Sequence, residues 1–400
     1  MKLFIRGVGL VTCLGSTLES FWGSINRGEN GFRPFSSLTH LELNGCYCGK
    51  VNDFNPSDYY PEKALADADR SAALIAVATQ SALRDSSIQV DPSRRDRIGI
   101  SSGITLSIAT SMSEFYESVL VNGPRRCKIA AFPNTVMNAP ASRVAILEEI
   151  TGANTTISSG INSGIDAIGL ACLSISEGIS DSVVCGGVEA LSERILLGFA
   201  KRNLLTYGID LAQSEVRCKT RLSPYESFIP SEGAVVFVID EVNGMPHHRY
   251  CAIVGYSCTF SPDRIQVISK RSENVERTLR MAIEEAGIHL SDIGLTILSA
   301  GFDQFSYEAS LVGLERVFGT QISQQPILYP KWFLGECGAV LGPQCILIAQ
   351  GYFDEIFEEP VFQRINANMK WHCQLHKKNY VAIVHTDTSG HNSVMIVTSS

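Results

Sequence analysis

The chain has 400 residues, 45% of them apolar and 18% charged, with a formal net charge of -8. That length and apolar share bury a large core, as two domains or one duplicated one, and leave no case for disorder. The acidic balance argues against a nucleic-acid or anionic-membrane surface, which needs clustered Lys and Arg, and no apolar run reaches the roughly 20 residues of a membrane span.

Leu3 to Gly9 predicts a first core strand. A short apolar run ending at Cys13 can imitate a lipoprotein signal, but Arg6 interrupts it and Thr12 is a poor residue before a cleavage site. The reading therefore places the protein in the cytoplasm, where its cysteines serve as reduced, small apolar residues. Cys46 and Cys48 are the only close pair, and no His or further Cys follows at zinc spacing, so neither metal nor cofactor is expected.

Leu18 to Asn26 has the helix period and stops at the turn residues Gly28 to Gly31. Leu38 to Pro61 carries no clear period and reads as surface cover. Ala66 to Ser86 predicts an amphipathic helix, and Arg97 to Ser102 a second buried strand. Ser107 to Leu120 sets Ala109, Met112 and Tyr116 on one helical face, which periodicity alone reads as ordinary core packing. Phe132 to Asn138 then reads as a buried loop capping a helix from Ala139 to Glu149.

From Thr155 to Gly169 the sequence TTISSGINSGIDAIG predicts strand, sharp turn and buried helix. Elbows of this build often present a nucleophile beside the unpaired N–H groups of the helix start. Here the lifted residue is Ile161, which can neither attack a carbonyl, nor titrate, nor bind a metal. Ile165, Ile168 and Cys172 give the helix its apolar face, and Ser182 to Cys185 is an apolar strand closed by Gly186-Gly187. A polar turn from Asn243 to Arg249, with His247 and His248 read as solvent-exposed, marks a midpoint dividing residues 1–245 from 246–400. A helix from Glu276 to Ala286 and a strand from Asp292 to Ala300 continue the alternation, which predicts packed α/β layers.

TTISSGINSGIDAIG, followed by DSVVCGGVEAL from Asp181 to Leu191, resembles the β-ketoacyl synthases of the thiolase superfamily, which condense acyl chains on carrier proteins. The resemblance runs from Gly7 to Asn392. The opening GVGLVTCLGSTLESFWGSINRGENGFRPF is similar to the family's first strand and helix, and Asp69-Arg70 matches an acid–base pair at a helix start. Thr220 to Ile239 is similar to the segment running from Arg-Pro-Phe-Asp to Gly-Glu-Gly-Ala. It keeps Glu232 and Gly233 but has Leu222, Ser223 and Pro224 in place of Pro-Phe-Asp. The resemblance implies an α/β, thiolase-like fold of two duplicated halves in αβαβα layers.

In that family the position of Ile161 holds the cysteine that carries the acyl chain, and two histidines aim at it. The first belongs to Asn-Ala-His-Gly-Thr, where this chain has Ser299-Ala300-Gly301-Phe302-Asp303, so Gly301 replaces it. The second belongs to Lys-x-x-x-Gly-His, where Lys331 and Gly335 are kept and Glu336 stands for the histidine. The gating Gly-Phe-Gly-Gly-x-Asn loop is Asp387-Thr388-Ser389-Gly390-His391-Asn392, which keeps only Gly390 and Asn392. Every chemical group is replaced while both halves keep their strand and helix patterns. That combination implies a fold retained for another purpose.

Three readings follow. The resemblance first implies a chain-length factor, the non-catalytic β-subunit of a type II polyketide synthase. Such a subunit forms a heterodimer with a catalytic ketosynthase and reaches the acyl carrier protein only through that partner. Gly123-Pro124 stands at the family's distance behind a helix that lines the acyl tunnel, which makes Ala109, Met112 and Tyr116 the tunnel positions. Ala131, Phe132, Met137, Thr155 and Ile157 fall on the segment and strand that meet the partner across a two-fold axis. The short length and lost motifs look most like the bacterial aryl polyene systems. The second reading is a diverged acyl-thioester enzyme, with a nucleophile among Ser158, Ser159, Ser163, Cys172 and Cys337 or with Glu336 as a base. The third is a homodimeric scaffold protein.

Overall fold

The computed structural model describes residues 2–37, 41–52, 54–207, 227–241, 250–262, 267–301, 303–357 and 378–399. In its first half the strands are β1 (Leu3–Thr12), β2 (Arg33–Pro34), β3 (Tyr47–Cys48), β4 (Ile98–Ile104), β5 (Asn154–Ile157), β6 (Ser182–Glu189) and β7 (Gly233–Asp240). In the second they are β8 (Ala252–Phe260), β9 (Ile293–Ser299), β10 (Ile327–Leu328), β11 (Tyr380–Thr386) and β12 (His391–Thr398). The helices are α1 (Leu18–Arg27), α2 (Arg70–Ser86), α3 (Ala109–Asn122), α4 (Ala139–Leu147), α5 (Ser163–Ser176), α6 (Glu193–Lys201), α7 (Ile268–Ala286), α8 (Gln304–Phe318), α9 (Lys331–Leu334) and α10 (Leu341–Phe353).

Apart from the β2–β3 ribbon, the strands form one mixed sheet in the order β10-β9-β11-β12-β8-β1-β7-β6-β4-β5. The order is one arrangement used twice. β4 runs parallel to β5 and β6, and β7 runs antiparallel to β6 and β1. Likewise β9 runs parallel to β10 and β11, and β12 runs antiparallel to β11 and β8. The two arrays join through their first strands, with Leu3 opposite Ile253 and Phe4 opposite Ala252. The chain passes from one array to the other through residues 242–249, so the expected midpoint, His247 and His248 lie outside the described residues. Leu222, Ser223 and Pro224 lie outside them too.

The burial of alternate residues explains why the central strands read as unbroken apolar runs: both faces of each array are covered. In β7, Val235, Phe237 and Ile239 point into a central core with α5 and α10, whereas Ala234, Val236 and Val238 point into an outer core with α2 and α4. In β11, Val381 and Ile383 point into the central core, and Ala382 and Val384 into a third core under α7 and α8. The layers are therefore helix, sheet, helix, sheet, helix. Each fully buried Val, Leu or Ile stabilises this stack by roughly 1.5–3 kcal/mol.

Three expectations are corrected. Helix α2 starts at Arg70 rather than Ala66, because the Asp69 carboxylate caps it by accepting the Ala72 N–H at 2.8 Å. Helix α7 begins at Ile268 instead of Glu276, since its first two turns are polar and carry little periodic signal. The segment from Leu38 to Pro61 is more than cover: Leu43 and Cys46 are buried in a satellite core with Leu196, Leu205 and Phe228.

Candidate functional site

The elbow forms as its sequence predicts. Strand β5 ends at Ile157, Gly160 takes a left-handed φ of +86°, and a short 3-10 turn over Gly160–Asn162 leads into α5. Ile161 sits at the tip, buried. Its backbone N–H, the kind of donor at a helix start that ordinarily serves an anion or an oxyanion, is already used: it donates to Asp387 Oδ2 at 2.9 Å. A Cβ on Gly160 would come within 2.4 Å of that same oxygen, so the turn admits the carboxylate only with glycine there.

Asp387 is held in turn by the loop between β11 and β12. Its other oxygen accepts from the Ser389 N–H at 2.6 Å and from the Thr388 hydroxyl at 3.3 Å, and its own N–H donates to the His391 carbonyl at 2.8 Å. Thr388 packs closely against Gly301. A Cβ on Gly301 would lie 2.8 Å from Thr388 Cγ2 and 3.0 Å from its amide nitrogen. Glu336 pairs with Lys331 at 2.5 Å, both side chains being only 8% exposed. Lys331 also donates to the Ala300 carbonyl, and the other Glu336 oxygen accepts the Gly338 N–H at 3.1 Å. Glu336 is thus a paired structural charge.

A cavity of about 250 Å³ remains over the elbow, lined mostly by apolar side chains such as Ile195, Leu196, Phe199 and Phe228. Ile161 lines it without filling it. Three carboxylates line it as well: Glu189, Glu336 and Asp387. Glu189 accepts from the Leu106 N–H at 3.0 Å and the Ser107 hydroxyl at 2.8 Å, and burial pushes its pKa up to about 7 against those hydrogen bonds. At the elbow itself the Asp387 carboxylate stands as an acceptor where addition to a carbonyl needs a donor.

The remaining nucleophile candidates are engaged elsewhere. Ser159 donates to Asp166, and Ser163 donates to the Gly160 carbonyl at 2.5 Å. Ser158 is exposed. Cys172 and Cys337 are fully buried, and burial raises both thiols far above the range in which a thiolate forms. Cys46 and Cys48 are buried too, with pKa values pushed up to about 11 and about 12 by desolvation.

Two retained motifs meet at the rim. Asp69 and Arg70 do not pair with each other. Arg70 instead forms a two-pronged ion pair with the buried Glu232 at 2.7 and 2.8 Å, and Glu232 also accepts the Val51 and Leu191 N–H groups at 3.0 and 3.1 Å. That carboxylate ties the start of α2 to the wall of the pocket.

Helix α3 overturns the core-packing expectation. Met112 is exposed, Tyr116 is 61% and Leu120 83% exposed, and Ala109 is half-buried. The segment after it is not a buried loop: Phe132 is 54% exposed, Met137 is exposed and Ala131 is half-buried. Phe115 of α3 packs edge-on against Phe132, their ring centres 5.6 Å apart, so helix and segment form one apolar face. Strand β5, carrying the half-buried Thr155 and Ile157, is the last strand of the sheet, and among the described residues its outer edge is unpaired.

The profile of the β-ketoacyl synthase N-terminal domain matches residues 2–243. The chain belongs to the β-ketoacyl synthase family. Its relatives include a 3-oxoacyl-[acyl-carrier-protein] synthase 2 of Staphylococcus aureus (strain MRSA252). That enzyme is 23% identical over 297 residues, covering 73% of this chain and 71% of the relative. Among solved structures, a chain from a type II PKS acyl-carrier protein in complex with its ketosynthase bound to the hexaketide superposes with a TM-score of 0.81. It is 17% identical, and the match covers 100% of this chain and 99% of that one. A chain from a ketosynthase in complex with its chain length factor, from Xenorhabdus doucetiae, gives a TM-score of 0.77 at 17% identity, covering 100% of this chain and 98% of that one. At these identities the structural likeness establishes the thiolase-like fold. Among the described residues no helix is long and apolar enough to cross a membrane.

Proposed function

We propose that this β-ketoacyl synthase family member is the non-catalytic partner of a ketosynthase, a chain-length factor that walls the acyl tunnel in type II polyketide biosynthesis. The observation that carries the reading is the filled elbow: Ile161 stands at its tip and Asp387 occupies the N–H beside it. The exposed apolar face of α3 and the segment from Ile129 to Met137, together with the outer edge of β5 that no described strand pairs, supports a heterodimer. A face of this kind marks a surface meant to be covered. The likeness to a ketosynthase in complex with its chain length factor, and to one in complex with its acyl-carrier protein, supports the same partners. The carrier protein would dock on the ketosynthase and not on this acidic chain.

In this role the subunit acts by sterics and apolar burial. Ala109, Met112 and Tyr116 would wall the tunnel, and each added CH₂ or CH unit gains up to about 0.8 kcal/mol until a side chain blocks it. Ala131, Phe132, Met137, Thr155 and Ile157 would contact the partner. A rigid, extended polyene would meet Met112 or Tyr116 as a hard stop, and the short chain and lost motifs favour an aryl polyene system. The test is Ala109→Phe in the assembled complex, read as product length by mass spectrometry. Shorter products are expected, and an unchanged distribution removes α3 as the wall.

A further inference from the structure

Outside the elbow, a second group of reactive side chains converges where β8 and β12 face α5. In the antiparallel register Cys258 lies opposite Ser393, and Phe260 opposite His391. All four side chains therefore share one face, with His391 diagonal to Cys258. The Asp166 carboxylate of α5 meets this face. It accepts from the Ser393 hydroxyl at 2.5 Å and the Tyr256 hydroxyl at 2.8 Å, and it stands 3.3 Å from His391 Nε2. The register sets the His391 imidazole diagonal to the Cys258 thiol on this face, and each shifts the titration of the other.

We propose that Cys258, His391 and Asp166 form a second, outward-facing nucleophilic site that accepts an acyl group from a thioester. A nucleophile, a base beside it and a carboxylate that orients the base are the parts such a site needs, and the strand register with the 3.3 Å His391–Asp166 approach brings them together. Among the described cysteines Cys258 alone is exposed. Phe260, 59% exposed two residues along the same face, offers apolar surface for an acyl chain. His391 lowers the Cys258 pKa against desolvation by burial. Burial disfavours the imidazolium, but the neighbouring Cys258 and the Asp166 and Asp387 charges outweigh it, and the His391 pKa is raised. The Tyr256 hydroxyl donates to Asp166 and helps to fix that carboxylate.

In the step, the Cys258 sulfur attacks the thioester carbonyl while His391 takes the thiol proton. The carbon–sulfur bond to the leaving thiol breaks, and the same proton passes to that thiol. One thioester replaces another, so no oxidant or reductant is needed, whereas a disulfide at Cys258 would require an oxidant. The site goes beyond the tunnel-wall role, and neither depends on the other.

The test treats the full-length chain with octanoyl-N-acetylcysteamine and maps the adduct by peptide mass spectrometry. The pH dependence of iodoacetamide labelling at Cys258 is measured in parallel. An octanoyl adduct on Cys258 is expected, absent in Cys258→Ser and formed at least tenfold more slowly in His391→Gln. The alkylation midpoint should lie below the roughly 8.5 of a free cysteine and rise in His391→Gln. Should His391→Gln fail to fold, Asp166→Asn takes its place, and the wild-type midpoint decides alone. No acyl group on Cys258, or a wild-type midpoint at or above about 8.5, overturns the proposal.

Discussion

The backbone N–H of Ile161 donates to the side chain of Asp387 across 226 positions of sequence, at 2.9 Å. This contact joins the elbow of the first half to a loop of the second, and it puts an acceptor where an acyl carbonyl would need a donor. Restoring the missing nucleophile is therefore not enough. Ile161→Cys should give no condensation in an assay of the purified chain with acyl and malonyl thioesters. Its thiol would find Gly301 and Glu336 where imidazoles would activate it. Measurable turnover by the single variant would contradict the filled-elbow account.

The Lys331–Glu336 pair is buried on both sides, so removing one partner strands the other. Glu336→Ala should cost about 3–5 kcal/mol in denaturant unfolding, because a buried ammonium is left without its counter-charge. A loss below about 1 kcal/mol would mean that the pair is solvated.

Glu189 gives a signed pH dependence. Its folded pKa of about 7 lies above its ordinary value of 4.5, and the largest cause is burial. Below about 4.5 both states are protonated and the carboxyl costs nothing. Between 4.5 and about 7 the unfolded chain releases a proton that the folded chain keeps, so stability falls as pH rises through that window. Glu189→Gln should remove this component, gaining up to about 3 kcal/mol over the wild type at pH 8 and almost nothing at pH 4.5. Parallel urea titrations at the two pH values measure it.

The exposed apolar face predicts where association fails. Tyr116→Asp or Phe132→Asp should leave the thermal unfolding midpoint of the isolated chain nearly unchanged, since both side chains are more than half exposed. In the complex the same changes should weaken partner binding by about 10–100-fold, or roughly 1.4–2.8 kcal/mol. Sedimentation of mixed subunits separates the two effects.

Much of this was legible in the sequence, and the gaps have physical causes. Apolar runs such as those of β6 and β9 declare strands covered on both faces, and the β5–α5 elbow declares itself through small residues between a β-branched run and a helical period. Period alone could not say what α3 faces. Ala109, Met112 and Tyr116 make the same stripe whether the neighbour is the chain's own core or another subunit. Asp387 was visible only as a lost glycine, because its contact with Ile161 depends on folding the two halves together. Cys258 gave no motif at all, and His391 stood only at the variable position of the gating loop. They meet through strand register, and only the alternation of β8 and β12, had it been paired by eye, could have placed them on one face.

The most direct test is the native mass of this chain expressed alone and together with a catalytic ketosynthase of the same organism. The account predicts a one-to-one complex that elongates acyl chains when neither subunit does so alone. A homodimer that ignores the ketosynthase would contradict it.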